Sequence, residues 1–205
     1  YYGGVLSYWT EESGAKTETE PEFEQIELVA HKLAGYTQAS DELLADSAIA
    51  LEGLLASMFR GTVATREDFA FLRGTGVGMP LGILNSACLE TQDRATANTI
   101  EYRDLARMMD QILPSSYGNA YWCVDVTALP QLLQMEDGAG NNVFIPNSSG
   151  GIAQSMPGLL LGRPIVITEK LPNLGSTGDL LLADFSYYLI GDRQQTTIDA
   201  SEHYA

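Results

Sequence analysis

Phe71-Leu72-Arg73-Gly74-Thr75-Gly76-Val77-Gly78-Met79-Pro80-Leu81-Gly82-Ile83-Leu84 is the stretch that decides the fold. Four glycines and a proline within residues 74–82 cannot prolong a helix, so the chain must turn sharply there. On its N-terminal side lies the strongest periodic signal in the sequence. Leu44, Ala48, Leu51, Leu55 and Met58 recur in 4-3-4-3 steps, and Ile49, Leu54 and Phe59 widen the stripe. Ser40 suits an N-cap, Asp41 and Glu42 favour the positive helix end, and Gly74 suits the stop. The spacing predicts one long helix over 41–73, about 50 Å at about 1.5 Å per residue, packed by that stripe on a sheet. Gly53 and Gly61 each weaken it by about 1 kcal/mol relative to alanine, and a bend would fall near Gly61.

Beyond the glycine turn the texture becomes mixed α/β. A helix is expected from about Ile100 to Leu113, with Leu105, Met108, Met109 and Ile112 on one face and Pro114 ending it. Residues 121–126 read as a buried strand, followed by a short helix that Thr127 would cap, running through Leu132, Leu133 and Met135. Gly138–Asn142 is a turn cluster. Leu159–Leu161 and Ile165–Thr168 read as strands broken by Gly162 and Pro164, and Leu180–Tyr188 and Gln194–Asp199 as further strands around a Gly191-Asp192 turn. Upstream of the long helix, residues 5–36 suggest an outgoing strand (Val5, Trp9) and a returning one (Phe23, Ile26, Leu28, Val29). The connection is acidic, with seven glutamates from Glu11 to Glu27 against the single Lys16. An extended solvated arm is the reading preferred here, and a disordered acidic loop is its alternative.

Composition excludes several functions. Apolar residues make up 45% and charged residues 19%, which suits a folded chain and not a disordered one. Eleven Lys+Arg against 27 Asp+Glu leave a net charge of −16, which repels a phosphate backbone, so sequence-specific nucleic-acid binding is not expected. No apolar run is long enough to span a bilayer, and Tyr1-Tyr2-Gly3-Gly4 does not open a signal peptide. Cys88 and Cys123 are far apart with no CxxC spacing, and both read as reduced thiols, Cys123 within a strand.

The glycine loop resembles a phosphate cradle, but such a loop must follow a strand and open a helix. This one follows a helix, runs into Pro80 and lacks the lysine of a P-loop. His31 and His203 stand at opposite ends of the chain without a local ligand partner, and no nucleophile elbow or HExxH occurs. Tyr121-Trp122 and Tyr187-Tyr188 are expected to pack in a core or an interface. No catalytic, cofactor-binding or metal-ligating residue emerges, and the chain is not expected to be an enzyme or to hold a cofactor.

Ala39-Ser40-Asp41-Glu42-Leu43-Leu44, the exit Phe71-Leu72-Arg73-Gly74-Thr75-Gly76 and Pro80-Leu81-Gly82-Ile83-Leu84 follow an extended arm in that order. Leu161-Gly162-Arg163-Pro164-Ile165-Val166, Ala183-Asp184-Phe185 and Tyr188-Leu189-Ile190-Gly191-Asp192-Arg193 come after them. Together they resemble the major capsid protein family of tailed bacteriophages and prophages, with the Hong Kong 97-like fold. The resemblance implies an α+β chain in which residues 1–74 form an extended loop and the spine helix of a peripheral domain. Residues 75–185 would be a mixed α/β axial domain, and 186–205 the return to the peripheral domain, with its C-terminal strands missing. It implies a structural subunit of an icosahedral virion that self-assembles into pentamers and hexamers around double-stranded DNA in the bacterial host cytoplasm. Expected partners are other copies of itself, with a scaffold or maturation protease besides, and no membrane. Some relatives cross-link through a lysine on the extended loop; Lys16 is the only lysine there and reads as a surface residue. A shell protein of a non-viral compartment is the alternative, and an uncharacterised hydrolase a more distant one. The sequence reads as the middle of a longer chain.

Overall fold

Ala120–Asp125 (β1) is the strand around which the molecule is built. Five of its six residues are buried and only Tyr121 is exposed, so both faces of the strand are covered. Side chains alternate across a strand, and the two faces meet different cores. Trp122 and Val124 point into a cluster with Leu105, Leu132, Phe144, Leu160 and Ile165. Cys123 points into a second cluster with Leu171 and Leu181, flanked by Leu72, Ile83 and Leu84. A strand with this double burial belongs in the middle of a sheet, and β1 lies there. The structure is a computed structural model, and it describes residues 9, 27–38, 51–145, 158–194 and 196–198.

Among the described residues the sheet has five strands in the order β2-β3-β4-β1-β5. These are β2 (Phe144–Ile145), β3 (Leu159–Leu160), β4 (Arg163–Thr168) and β5 (Leu180–Asp184). β4 runs parallel to β1, with Trp122 opposite Ile165, and β5 runs antiparallel, with Trp122 opposite Leu182. The β3–β4 connection is a two-residue turn, Leu161-Gly162, with positive φ at both residues (50° and 76°). That is the type I′ geometry that suits strand twist. Pro164, expected to break the strand, instead lies inside β4 opposite Leu159. Its missing N–H is aimed away from β3, and pairing to β1 begins one residue later at Ile165.

The remaining boundaries follow from side-chain caps. Helix α2 (Tyr102–Gln111) is shorter than the predicted 100–113, because Glu101 and Asp104 form a reciprocal capping box that starts it at Tyr102. The cap after β1 is Asp125 and not Thr127: its carboxylate accepts from the Thr127 amide (2.9 Å) and from the Thr127 hydroxyl. Helix α3 (Leu129–Leu133) then begins one turn later. β5 ends at Asp184, short of the predicted Tyr188. The Asp184 carboxylate takes the Ser186 amide and hydroxyl at 3.0 and 2.6 Å and turns the chain into a 3-10 turn at Phe185–Tyr187. The expected strand over 194–199 is not present at its described residues.

Helix α1 (Leu51–Arg73) carries the long periodic signal. Residues 41–50 and the Ser40 cap lie outside the described residues. The helix continues through Gly53 and Gly61, and beyond the helix's own backbone nothing lies within 4 Å of where a Cβ would stand on either. The expected packing on a sheet is corrected at Leu55 and Met58, Leu44 and the Leu51 side chain lying outside the described residues. Leu55 and Phe59 are half-buried, while Leu54 and Met58 are exposed. The neighbour along this face is the extended segment 33–37, whose Gly35 lies against the Phe59 ring.

Candidate assembly surfaces

The glycine stretch folds back on itself. The Gly74 amide still donates to the Ala70 carbonyl at 2.7 Å, closing the last turn of α1, and the Gly82 amide donates to the Gly74 carbonyl at 2.8 Å. A single antiparallel bridge joins Thr75 to Leu81. Two glycines are required by close approach: a Cβ on Gly74 would overlap the Pro80 carbonyl, and one on Gly82 would overlap the Gly74 amide. Gly76 and Gly78 are required by positive φ (78° and 71°). Asn85 donates through Nδ2 to the carbonyls of Arg73 (3.0 Å) and Gly74 (2.9 Å), satisfying groups that a helix end leaves free. The loop is a structural clasp, and its backbone amides at Gly74 and Gly82 are occupied by the chain itself.

Buried acids also serve the fold. Asp104, Asp125 and Asp179 are the buried carboxylates among the described residues, and each caps a turn or helix. Asp179 takes the Gly175 amide at 2.9 Å and pairs with Arg94, while its own carbonyl accepts from Asp125 N. Gln131 receives the Ile100 amide at 2.8 Å and donates to the Asn98 carbonyl at 3.0 Å, so the loop leading into α2 is tied at several points. Arg94, Asn85 and Gln131 escaped the sequence reading. Their partners lie 11 to 85 residues away, and no local pattern announces them.

From the sequence, no catalytic, cofactor-binding or metal-ligating residue is expected. His31 is exposed and His203 lies outside the described residues. Among the described residues no group of three His, Cys, Asp or Glu side chains stands close enough to hold a metal ion. Asp137 heads an exposed turn, where the Asn141 side chain and then the amides of Asn141 and Ala139 hold its carboxyl below the usual carboxylate range. A concavity of about 710 Å³ is lined by Ile100, Gln131, Met135, Glu101 and Glu136. None of these brings a nucleophile against a base.

Cys88 is exposed and Cys123 is buried, and neither is in a disulfide. Burial pushes the Cys123 thiol up to about 11. At pH 8, one thiol per chain is therefore expected to react rapidly with a disulfide reagent, and the second only on unfolding. The neutral thiol stabilises the fold fully below pH 9, and this contribution declines as pH rises from 9 to about 11, by about 3 kcal/mol at most. Denaturation midpoints measured at pH 8 and pH 10.5 in wild type and Cys123→Ala would report it, since the variant should lose that part of the pH slope.

What the molecule does present is apolar surface along α1. Residues 27–38 are exposed throughout and without regular secondary structure. Leu28, Val29, Leu33 and Tyr36 stand out from this segment, and Leu54 and Met58 from the helix beside it. Leu28 touches Gly191, where Leu189 and Ile190 continue the exposed band. Of the paired aromatics, Trp122 is in the core and Tyr121 lies on the surface near Phe185. Tyr188 packs edge-on against Phe71 at 6.0 Å and donates to the Leu81 carbonyl at 2.8 Å, while Tyr187 is 70% exposed. Between α1 and segment 33–37 lies a cleft of about 330 Å³ lined by Leu33, Leu55, Met58, Phe59 and Val63. The acidic run from Glu11 to Ile26 lies outside the described residues.

Comparison with known proteins places the chain in a family. Its sequence is 28% identical to the major capsid protein of Klebsiella oxytoca phage phiKO2, over 98% of this chain and 48% of that protein. It is 23% identical to the capsid polyprotein of Pseudomonas phage PAJU2, over 92% of this chain and 28% of that protein. The chain thus spans about half the length of the first of these relatives, or less. Two solved structures share its fold: the capsids of the native and the empty GTA particle, both computed with C5 symmetry. Their TM-scores are 0.70 and 0.66 at 24% and 23% identity, over 87% of this chain and 64% of each of theirs. The α+β arrangement of a long helix, a glycine turn and a mixed sheet is the Hong Kong 97-like capsid fold. The phage capsid family model covers residues 2–205, essentially the whole sequence, and the chain belongs to that family.

Proposed function

We infer that this chain is the shell-forming part of a major capsid protein, a structural subunit and not an enzyme. The observation that carries the reading is the apolar band along α1 and residues 27–38. The sheet buries its own core within one chain, yet this band leaves Leu28, Val29, Leu33, Tyr36 and Met58 in water. Exposed apolar surface of this extent marks a face that another protein covers, and in a closed shell that protein is a further copy. Residues 1–74 then serve as extended loop and spine helix, 75–185 as the axial domain at the centre of pentamers and hexamers, and 186–205 as the return to the peripheral domain. The shell encloses double-stranded DNA and assembles in the host cytoplasm, with a scaffold or maturation protease as transient partners. A net charge of −16 keeps its surfaces from adhering to the packaged phosphate backbone.

The full-length protein should sediment as rings or closed particles and show them by electron microscopy. A species that stays monomeric across wide ranges of salt and concentration would sink the reading, as would turnover of a small substrate.

A further inference from the structure

We propose that the clasp at residues 74–85 fixes the angle between α1 and the five-stranded sheet, and that Asn85 and Tyr188 are the residues that position it. This rests on the shell reading for its purpose, but not for its geometry. Three independent ties converge on the end of α1. Asn85 Nδ2 bridges the carbonyls of Arg73 and Gly74. The Gly82 amide holds the Gly74 carbonyl, with the two glycine backbones too close for any side chain between them. The Tyr188 hydroxyl holds the Leu81 carbonyl, while its ring packs on Phe71 of the helix. Asn85 closes the 3-10 turn Ile83–Asn85, and Ile83 and Leu84 pack against the core beneath β1 and β5. The helix end is therefore bonded to a turn that is itself seated on the sheet.

The lever makes this consequential. A helix of 23 residues is about 35 Å long, so a tilt of about 5° at the clasp moves its far end by about 3 Å. Packed interfaces match at the scale of single methylene groups. A shift of 3 Å would misplace the apolar band that each copy offers its neighbour. The clasp converts a glycine-rich turn, ordinarily a loose joint, into a set angle.

The test uses the 205-residue chain with Cys88→Ser, so that spin labels enter only at introduced cysteines, Cys123 being buried. Labels at Ser57→Cys on α1 and Ala139→Cys beyond α3 report the distance between helix and sheet domain, both positions being exposed. The parent should give one narrow distance distribution by pulsed electron resonance. Asn85→Ala with Tyr188→Phe should widen it by about 2 Å or more, Ser57 lying about 24 Å along the helix from the clasp, with far-UV circular dichroism unchanged. An unchanged width in the folded double variant overturns the proposal. If the double variant does not fold, Asn85→Asp keeps the side-chain size and removes both donors. It should widen the distribution in the same sense, and an unchanged width there overturns the proposal equally. Because the labelled chain need not assemble, failure to form shells would count against the shell reading and leave this result standing.

Discussion

Trp122→Ala is expected to remove most of the stability of the sheet domain. The side chain is fully buried at the centre of β1 and packs within the cluster that holds Leu105, Leu132, Phe144 and Leu160. Truncating a buried tryptophan costs about 3–5 kcal/mol through lost transfer energy and the residual cavity. Its indole N–H also donates to the Leu160 carbonyl at 3.0 Å, and losing it leaves a buried acceptor without its donor. Against a typical total of about 5–15 kcal/mol, the variant should be marginal or unfolded at 37 °C. Urea titration followed by circular dichroism measures the loss. Trp122→Phe helps separate the causes, since it keeps most of the aromatic volume while removing the N–H donor. A loss below about 1 kcal/mol for the alanine variant would remove Trp122 from the core.

Asp179→Ala should have the next largest effect. The carboxylate is 4% exposed and caps Gly175 while pairing with Arg94, whose side chain is 22% exposed. Breaking a buried pair from one side costs about 3–5 kcal/mol, because the surviving charge keeps its desolvation penalty. Arg94 retains some water, so the lower part of that range is expected. The double variant Arg94→Met with Asp179→Ala should be less damaging than the sum of the single ones. A coupling of more than about 1 kcal/mol in the four-way cycle identifies the ion pair as the source. Strict additivity would assign the loss to the Gly175 cap alone.

The contrast between these residues shows what the sequence made legible. Residues 51–73, 102–111 and 120–125 carried periodic or continuous apolar patterns long enough to read directly. The turn after Arg73 was legible because glycine and proline act locally. Pro164 misled for the same reason. A rule about proline in strands concerns where its missing donor would point, and that depends on a partner strand about 40 residues upstream. The end of β5 was obscured by Asp184, whose cap on Ser186 turns the chain while the apolar run continues. Met58 and Leu54 followed the helical period yet remain exposed. Periodicity identifies a face and cannot say whether the same chain covers it. The expectation of no catalytic or ligand site rested on missing motifs, whereas Asp104, Asp125 and Asp179 took their roles as caps only through folding.

The place of β1 in the sheet bears on how the molecule is made. This central strand leaves the ribosome before either of its neighbours: β4 begins at Arg163 and β5 ends at Asp184. With about 43 residues between Asp125 and the end of β4 at Thr168, synthesis at about 5–20 residues per second leaves β1 without either flanking strand for about 2–9 seconds. During that interval Trp122, Cys123 and Val124 have neither hydrogen-bonded neighbour, and an unpaired apolar strand is prone to pair with the wrong chain. The parallel pairing adds a long loop closure that slows its rescue. On a polysome the nascent chains are each other's nearest hazard, and early arrival of β4 and β5 at β1 shortens the time in which they can mispair.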